Sequence, residues 1–138
     1  MANSLFYIPA QLINYFGIDC RKVHPVAEDE WADESGNIAP ITYEAGFAHS
    51  MIKYLYYQID EKLRMSMENV HFPTNANIKD YSKIINDITE GTGADISSTS
   101  PGWAGHMAFV TPYLPSSILQ TKKTQVYISE ELAAPFEC

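Results

Sequence analysis

Charge is missing near both ends of this 138-residue chain. From Met1 to Ile18 there is no Asp, Glu, Lys, Arg or His, and from Ile96 to Thr121 only His106 interrupts a second neutral stretch. Charged residues are rarely buried unpaired, so exposed segments normally carry them. A segment without them is core, interface or neutral loop. Basic residues are also few: nine Lys and Arg against seventeen Asp and Glu give a net charge of −8. They never gather beyond pairs such as Arg21-Lys22 and Lys122-Lys123. Direct binding to nucleic acid or to an anionic membrane surface is therefore not expected, because both need clustered cations. Long hydrophobic runs are absent too. Asn3, Ser4, Pro9, Gln11 and Asn14 interrupt the apolar N-terminal stretch, so neither a membrane span nor a signal peptide is expected. The expected location is the cytoplasm or, for an assembly subunit, a virion. The only cysteines, Cys20 and Cys138, read as two free thiols in a reducing compartment rather than as a disulfide framework.

What is present is apolar and aromatic. Hydrophobic residues make up 46% of the chain, with nine Tyr, six Phe and two Trp, which suits a folded domain rather than a disordered one. The length fits a single domain over 1–138 that needs no metal or staple to close its core. Within it, 92–121 reads as an uncharged interaction arm.

The periodicity predicts an α+β fold, mainly α. Ser4 to Gly17 reads as an apolar entry and a short, largely covered helix, with Pro9 in its first turn and Gly17 as its stop. Thr42 to about Val70 reads as one long helix capped by Thr42, since Ala48, Met51, Ile52, Leu55, Ile59, Leu63, Met67 and Val70 recur at helical spacing. Ile78 to about 90 reads as a second amphipathic helix, with Asn77 as cap and Gly91 and Gly93 beyond its end. The two together, about 42–70 and 78–90, form an expected antiparallel spine. The C-terminal portion is loop-rich and weakly β, with short strands at 107–110 and 125–128.

Five constellations can carry chemistry. Cys20 beside Arg21 and Lys22 suggests a thiol of lowered pKa, with His24, His49, His71 or His106 as a base; an incidental buried cysteine is the commoner case. Cys20 and His24 are four apart, but Pro25 biases His24 away from helix and no second pair completes a zinc set, so no metal or other cofactor is expected. The run Ser100 to His106 places Gly102 and Gly105 around Trp103 without matching a phosphate loop or a nucleophile elbow. It reads as a loop anchored by one tryptophan, with a pocket lining as the alternative and Trp103 as an expected partner-binding residue.

The acidic loop is the fourth. Trp31 sits among Glu28, Asp29, Glu30, Asp33 and Glu34, an aromatic anchor ringed by carboxylates that can steer a basic partner. The bland alternative is a solvated loop whose indole folds back. The fifth is the tyrosine-rich turn, where Tyr56 lies off the expected stripe and is free to meet a partner.

The reading that follows is non-enzymatic. The chain is expected to be a self-assembling structural subunit of the viral or phage-particle type, a homo-oligomer or a binder of another protein, with no small-molecule substrate. Its neutral segments would be contact surfaces, because interface cores are poor in charge and rich in aromatics and Met. A small acidic inhibitor or immunity-type protein using the Trp31 loop is the alternative, and an enzyme built on Cys20 or His106 the second alternative.

Overall fold

The computed structural model of the chain describes residues 3–97, which belong to a unit ending at Ser100. These residues are mainly helical. Helix α1 spans Asn3–Phe16, α2 Phe47–Tyr54 and α3 Tyr81–Ile88, with short 3-10 turns at Tyr56–Gln58 and Met67–Asn69. Extended backbone pairs among the described residues only as isolated bridges, Val26 with His71 and Ala32 with Ile38. No described helix is long and apolar enough to cross a membrane. The expected strands, Trp103, His106, Cys138 and most of the 92–121 arm lie outside the described residues.

Helix α1 begins earlier than the sequence suggests and runs through Pro9. Proline removes one backbone donor and crowds the carbonyl four residues back, which normally breaks or kinks a helix. Tertiary packing overrides that cost here. Ala10, wholly buried, lets the helix press against the core, with Phe6 and Ile13 packed beside it. Gly17 ends α1 as expected. At φ 64° it adopts the left-handed conformation that glycine tolerates, and Ile18 N–H reaches back to Ile13 O at 3.0 Å.

The long helix expected over 42–70 does not form. Helix α2 starts after Gly46, not at Thr42, and ends at Tyr54. Two distant side chains account for this. Glu30 satisfies the first backbone donors of α2, fixing its start. Asn14 Nδ2 donates to Gln58 O at 2.7 Å, and Asp60 N–H donates to Asn14 Oδ1 at 2.9 Å. A continuing helix would use those same backbone groups for itself. Ile59 is extended between them, and the chain then turns, with Leu63 and Arg64 N–H both donating to Asp60 O. The crowd of Tyr54, Tyr56 and Tyr57 also loses rotamer freedom in a helix.

The apolar positions nevertheless reach the core. Met51, Ile52, Ile59, Met65 and Val70 are buried together with Ala10, Cys20 and Ala27, and Leu55, Leu63 and Phe72 pack against them. Fully covering one such side chain contributes about 1.5–3 kcal/mol. Met67, expected on the same stripe, faces solvent instead.

Helix α2 packs on α1, whereas α2 and α3 do not pair as an antiparallel hairpin. Asn77 is the reason α3 starts late. Its side chain accepts from Thr74 N–H and donates to Phe72 O, so it holds the 72–77 turn rather than capping the helix. Helix α3 is tied instead to the loop before the acidic run. Buried Tyr81 donates its hydroxyl to Ala27 O at 2.7 Å, and burial pushes its pKa up to about 12. Gly91 closes the helix, its N–H bonding Asn86 O at 2.9 Å.

Candidate functional site

The acidic loop is largely exposed, yet two of its carboxylates are fixed by hydrogen bonds. The Glu30 carboxylate accepts from Ala48 N–H at 2.8 Å, Phe47 N–H at 3.1 Å and its neighbour Trp31 N–H at 2.9 Å. Two of these donors are the unsatisfied amides at the α2 N-terminus, where negative charge is favoured. Gly46 makes room for this approach. A Cβ there would lie 3.2 and 3.3 Å from the two Glu30 oxygens and 3.0 Å from Tyr43 O. Asp33 closes the loop tip by accepting from Ser35 N–H, Asn37 N–H and Asn37 Nδ2, bonds that lower its pKa. Gly36, at φ 82°, supplies the turn between them.

Trp31 is positioned from both sides. Its Nε1 donates to Ala45 O at 3.1 Å, and its ring stacks on Phe47 at 6.0 Å between centroids. The indole is still 48% exposed. Glu30 and Asp33 are thus structural, while Glu28 and Glu34 lie exposed at the margins. Asp29 is half-buried, and burial, together with the Glu30 charge, raises its pKa.

The second surface is α1. Its inner face meets the core, but Tyr7, Ile8, Leu12, Tyr15 and Phe16 point outward, and Ile18 extends the patch. The expectation that this segment is largely covered is therefore corrected: one face is covered and the other open. Residues 8, 12, 15 and 16 share a face of an α-helix. The expectation of cover comes from the lack of a polar face, since a helix apolar all round normally has cover all round.

Tyr56 is half-buried against the core, with the Arg64 guanidinium carbon 4.5 Å from its ring centre. Its neighbour Tyr57 is the outward tyrosine, 63% exposed. Tyr57, Ile41 and Ile52 line an open cleft of about 440 Å³ whose polar members include Glu44, His49 and Lys53. His49 Nδ1 lies 3.2 Å from Ile41 O, a bond that orients the imidazole.

The thiol candidate has the wrong electrostatics for a ready nucleophile. Arg21 does not serve Cys20; it forms a two-pronged pair with Asp19, at 2.9 and 2.6 Å, and that pairing holds Asp19 well below the usual carboxylate range. Cys20 is buried, and burial followed by the Asp19 charge raises its pKa. Iodoacetamide at pH 7 is expected to label Cys20 far more slowly in the folded chain than in urea. Equal rates in mass spectrometry of the Cys20 peptide would show the thiol to be open.

His24 and His71 meet although 47 residues apart. His24 Nδ1 lies 3.0 Å from His71 Nε2, with the rings nearly parallel. The flanking backbone is paired as well, through Ala27 N–H to His71 O and His71 N–H to Pro25 O. Cys20 does not join them in a metal cluster, and no group of three metal-binding side chains occurs among the described residues.

A hydrogen bond between two imidazoles needs one unprotonated nitrogen, so a second proton breaks it. Burial, then the neighbouring His24, lowers the His71 pKa from its ordinary 6.5. Between that lowered value and 6.5 the folded state binds fewer protons than the unfolded state. Stability therefore rises with pH across this window and is lost as pH falls through it. Thermal melting of the wild type is expected to drop as the pH falls below 6.5, with a shallower drop in His71→Gln. Parallel profiles for the two proteins would remove the pair from the acid response.

Among the sequence-derived candidates, the structure brings Glu30 and Trp31 onto the α2 N-terminus and leaves Tyr56 apart from them. No family model matches the chain, and no curated protein or solved structure is detectably similar to it.

Proposed function

We propose that this chain is a non-enzymatic structural subunit that assembles through protein–protein contacts with copies of itself. The observation that supports this is α1, a helix without a charged side chain that turns a row of large apolar residues to solvent. Folded monomers seldom leave contiguous apolar patches beyond a few hundred Å² open, and larger ones mark interaction sites. Light scattering over a concentration series tests the reading. The expected result is a mass that rises above that of one chain. A single-chain mass at the highest concentration would overturn it.

A second reading rests on the Trp31 loop. An indole fixed by Ala45 and Phe47, with Glu28 and Glu34 exposed in the same loop, suits a basic protein partner. Its test leaves Glu30 in place, because that carboxylate caps α2. In a Trp103→Phe background, a peptide rich in Lys and Arg is expected to shift Trp31 emission and to bind more weakly after Glu28→Gln and Glu34→Gln. Unchanged affinity in that double variant would sink it.

A further inference from the structure

From the composition and exposure of α1, and resting on the self-assembly reading above, we infer that the second copy docks on this helix: α1 pairs with α1 of another chain, antiparallel, across Gln11 and Leu12. Area is the first argument. Tyr15 is 82%, Phe16 67% and Ile8 55% exposed, with Leu12 and Tyr7 close to half. At roughly 150–250 Å² per large side chain, the open patch including Ile18 comes to about 700 Å². A standard interface needs about 800 Å² from each partner. The patch nearly supplies one half of a dimer contact by itself.

Charge selects the occupant. Each chain carries −8, so two copies repel wherever their acidic surfaces face. A basic partner gains most at the carboxylates of the 28–34 loop. A like-charged partner gains nothing there and meets no repelling side chain on the surface of α1. A second copy is the like-charged partner always present at equal concentration. The apolar row is also centred. Tyr7 and Ile8 lie on one side of Gln11 and Leu12, Tyr15 and Phe16 on the other, so antiparallel helices place each end of the row against the opposite end of its mate. Such two-fold contacts use the same patch on both subunits. Antiparallel α1 helices at 8–10 Å separation bring the two Gln11 positions, both exposed, near the axis.

Sedimentation equilibrium on full-length wild type, Leu12→Glu and Tyr15→Glu tests the pairing, with circular dichroism as the fold control. Both substitutions are at exposed positions, and the fold is expected to survive them. Leu12→Glu sets two carboxylates face to face at the axis and is expected to weaken dimerisation about 30-fold or more, the effect of losing a central interface residue. Gln11→Cys is expected to form a disulfide-linked dimer under mild oxidation, against wild type as the control for Cys20 and Cys138. Wild-type affinity in both glutamate variants, with no cross-link through position 11, would overturn the α1 pairing while leaving self-assembly standing. A wild type that never exceeds one chain would overturn both.

Discussion

Glu30→Ala is expected to lower the unfolding free energy by about 2–3 kcal/mol. A lost helix cap costs about 0.5–2 kcal/mol, and hydrogen bonds to a charged group are worth about 1.5–3 kcal/mol. The upper ends do not add, because Glu30 is only half-buried and water replaces part of what is lost. Three backbone donors lose their acceptor at once: Trp31 in the loop and Phe47 and Ala48 in the helix. Glu30→Gln keeps one oxygen acceptor and is expected to cost about half as much, on the same reasoning. Urea denaturation of the three proteins measures this. An Ala variant within 0.5 kcal/mol of wild type, about the spread of neutral surface substitutions, would mean that the carboxylate does not hold the loop to α2. The predicted loss also carries a spectroscopic signature. Trp31 rests on Ala45 and Phe47, so in a Trp103→Phe background its emission should shift toward that of free indole.

Ile59→Ala is expected to cost still more, about 2–5 kcal/mol, with Ile59→Val at about 0.5–1.5 kcal/mol. Ile59 is 2% exposed and lies in the core cluster with Met51, Met65 and Val70. It is also the extended residue between the two backbone groups that Asn14 bonds. Collapse around an alanine there would have to move α1, whose side chain holds the bend, so little relaxation is available and the cost should fall in the upper half of the range. Thermal and urea unfolding read it directly. A loss no larger than that of the valine variant would place Ile59 outside the cooperative core.

These two residues show how much of the fold the sequence carries. The spacing of Met51, Ile52, Ile59 and Val70 identifies them as core, and they are core. It does not identify one helix, because a chain of short helical turns buries every third or fourth residue just as a continuous helix does. What breaks the helix is Asn14, and what starts it is Glu30, 44 and 17 residues away from the backbone they bond. No local pattern announces either. Glycine was more legible. Gly17 ends α1 by a conformation that depends on the residue itself, whereas α3 turns first at Glu90, a non-glycine at φ 50°, with Gly91 following at φ 76°.

The candidate surfaces divide the same way. The apolar character of α1 is legible but its open stripe is not, because a helix without a charged face predicts cover and the structure leaves one face exposed. The roles of Glu30 and Asp33 within the acidic loop, and the meeting of His24 with His71, do not follow from composition, because each depends on a partner chosen by the fold. Tyr56 and Tyr57 exchanged places for a similar reason. Once the long helix gives way to a 3-10 turn, the direction of every side chain after Tyr54 changes. The Arg64 guanidinium carbon then lies 4.5 Å from the Tyr56 ring centre and 5.8 Å from that of Tyr57, which stays largely exposed.

The proposed self-assembly puts contact between chains on the charge-free surface of an acidic protein and not on its carboxylates. The salt dependence of self-association tests that claim most directly. Sedimentation equilibrium from about 0.05 M to about 0.5 M NaCl shortens the screening length from roughly 14 Å to roughly 4 Å. Apolar contact between chains of charge −8 predicts a dissociation constant that stays level or falls as salt screens their repulsion. A dissociation constant that climbs steeply with salt would mean that opposite charges hold the chains together, and would contradict the assignment of the interface to α1.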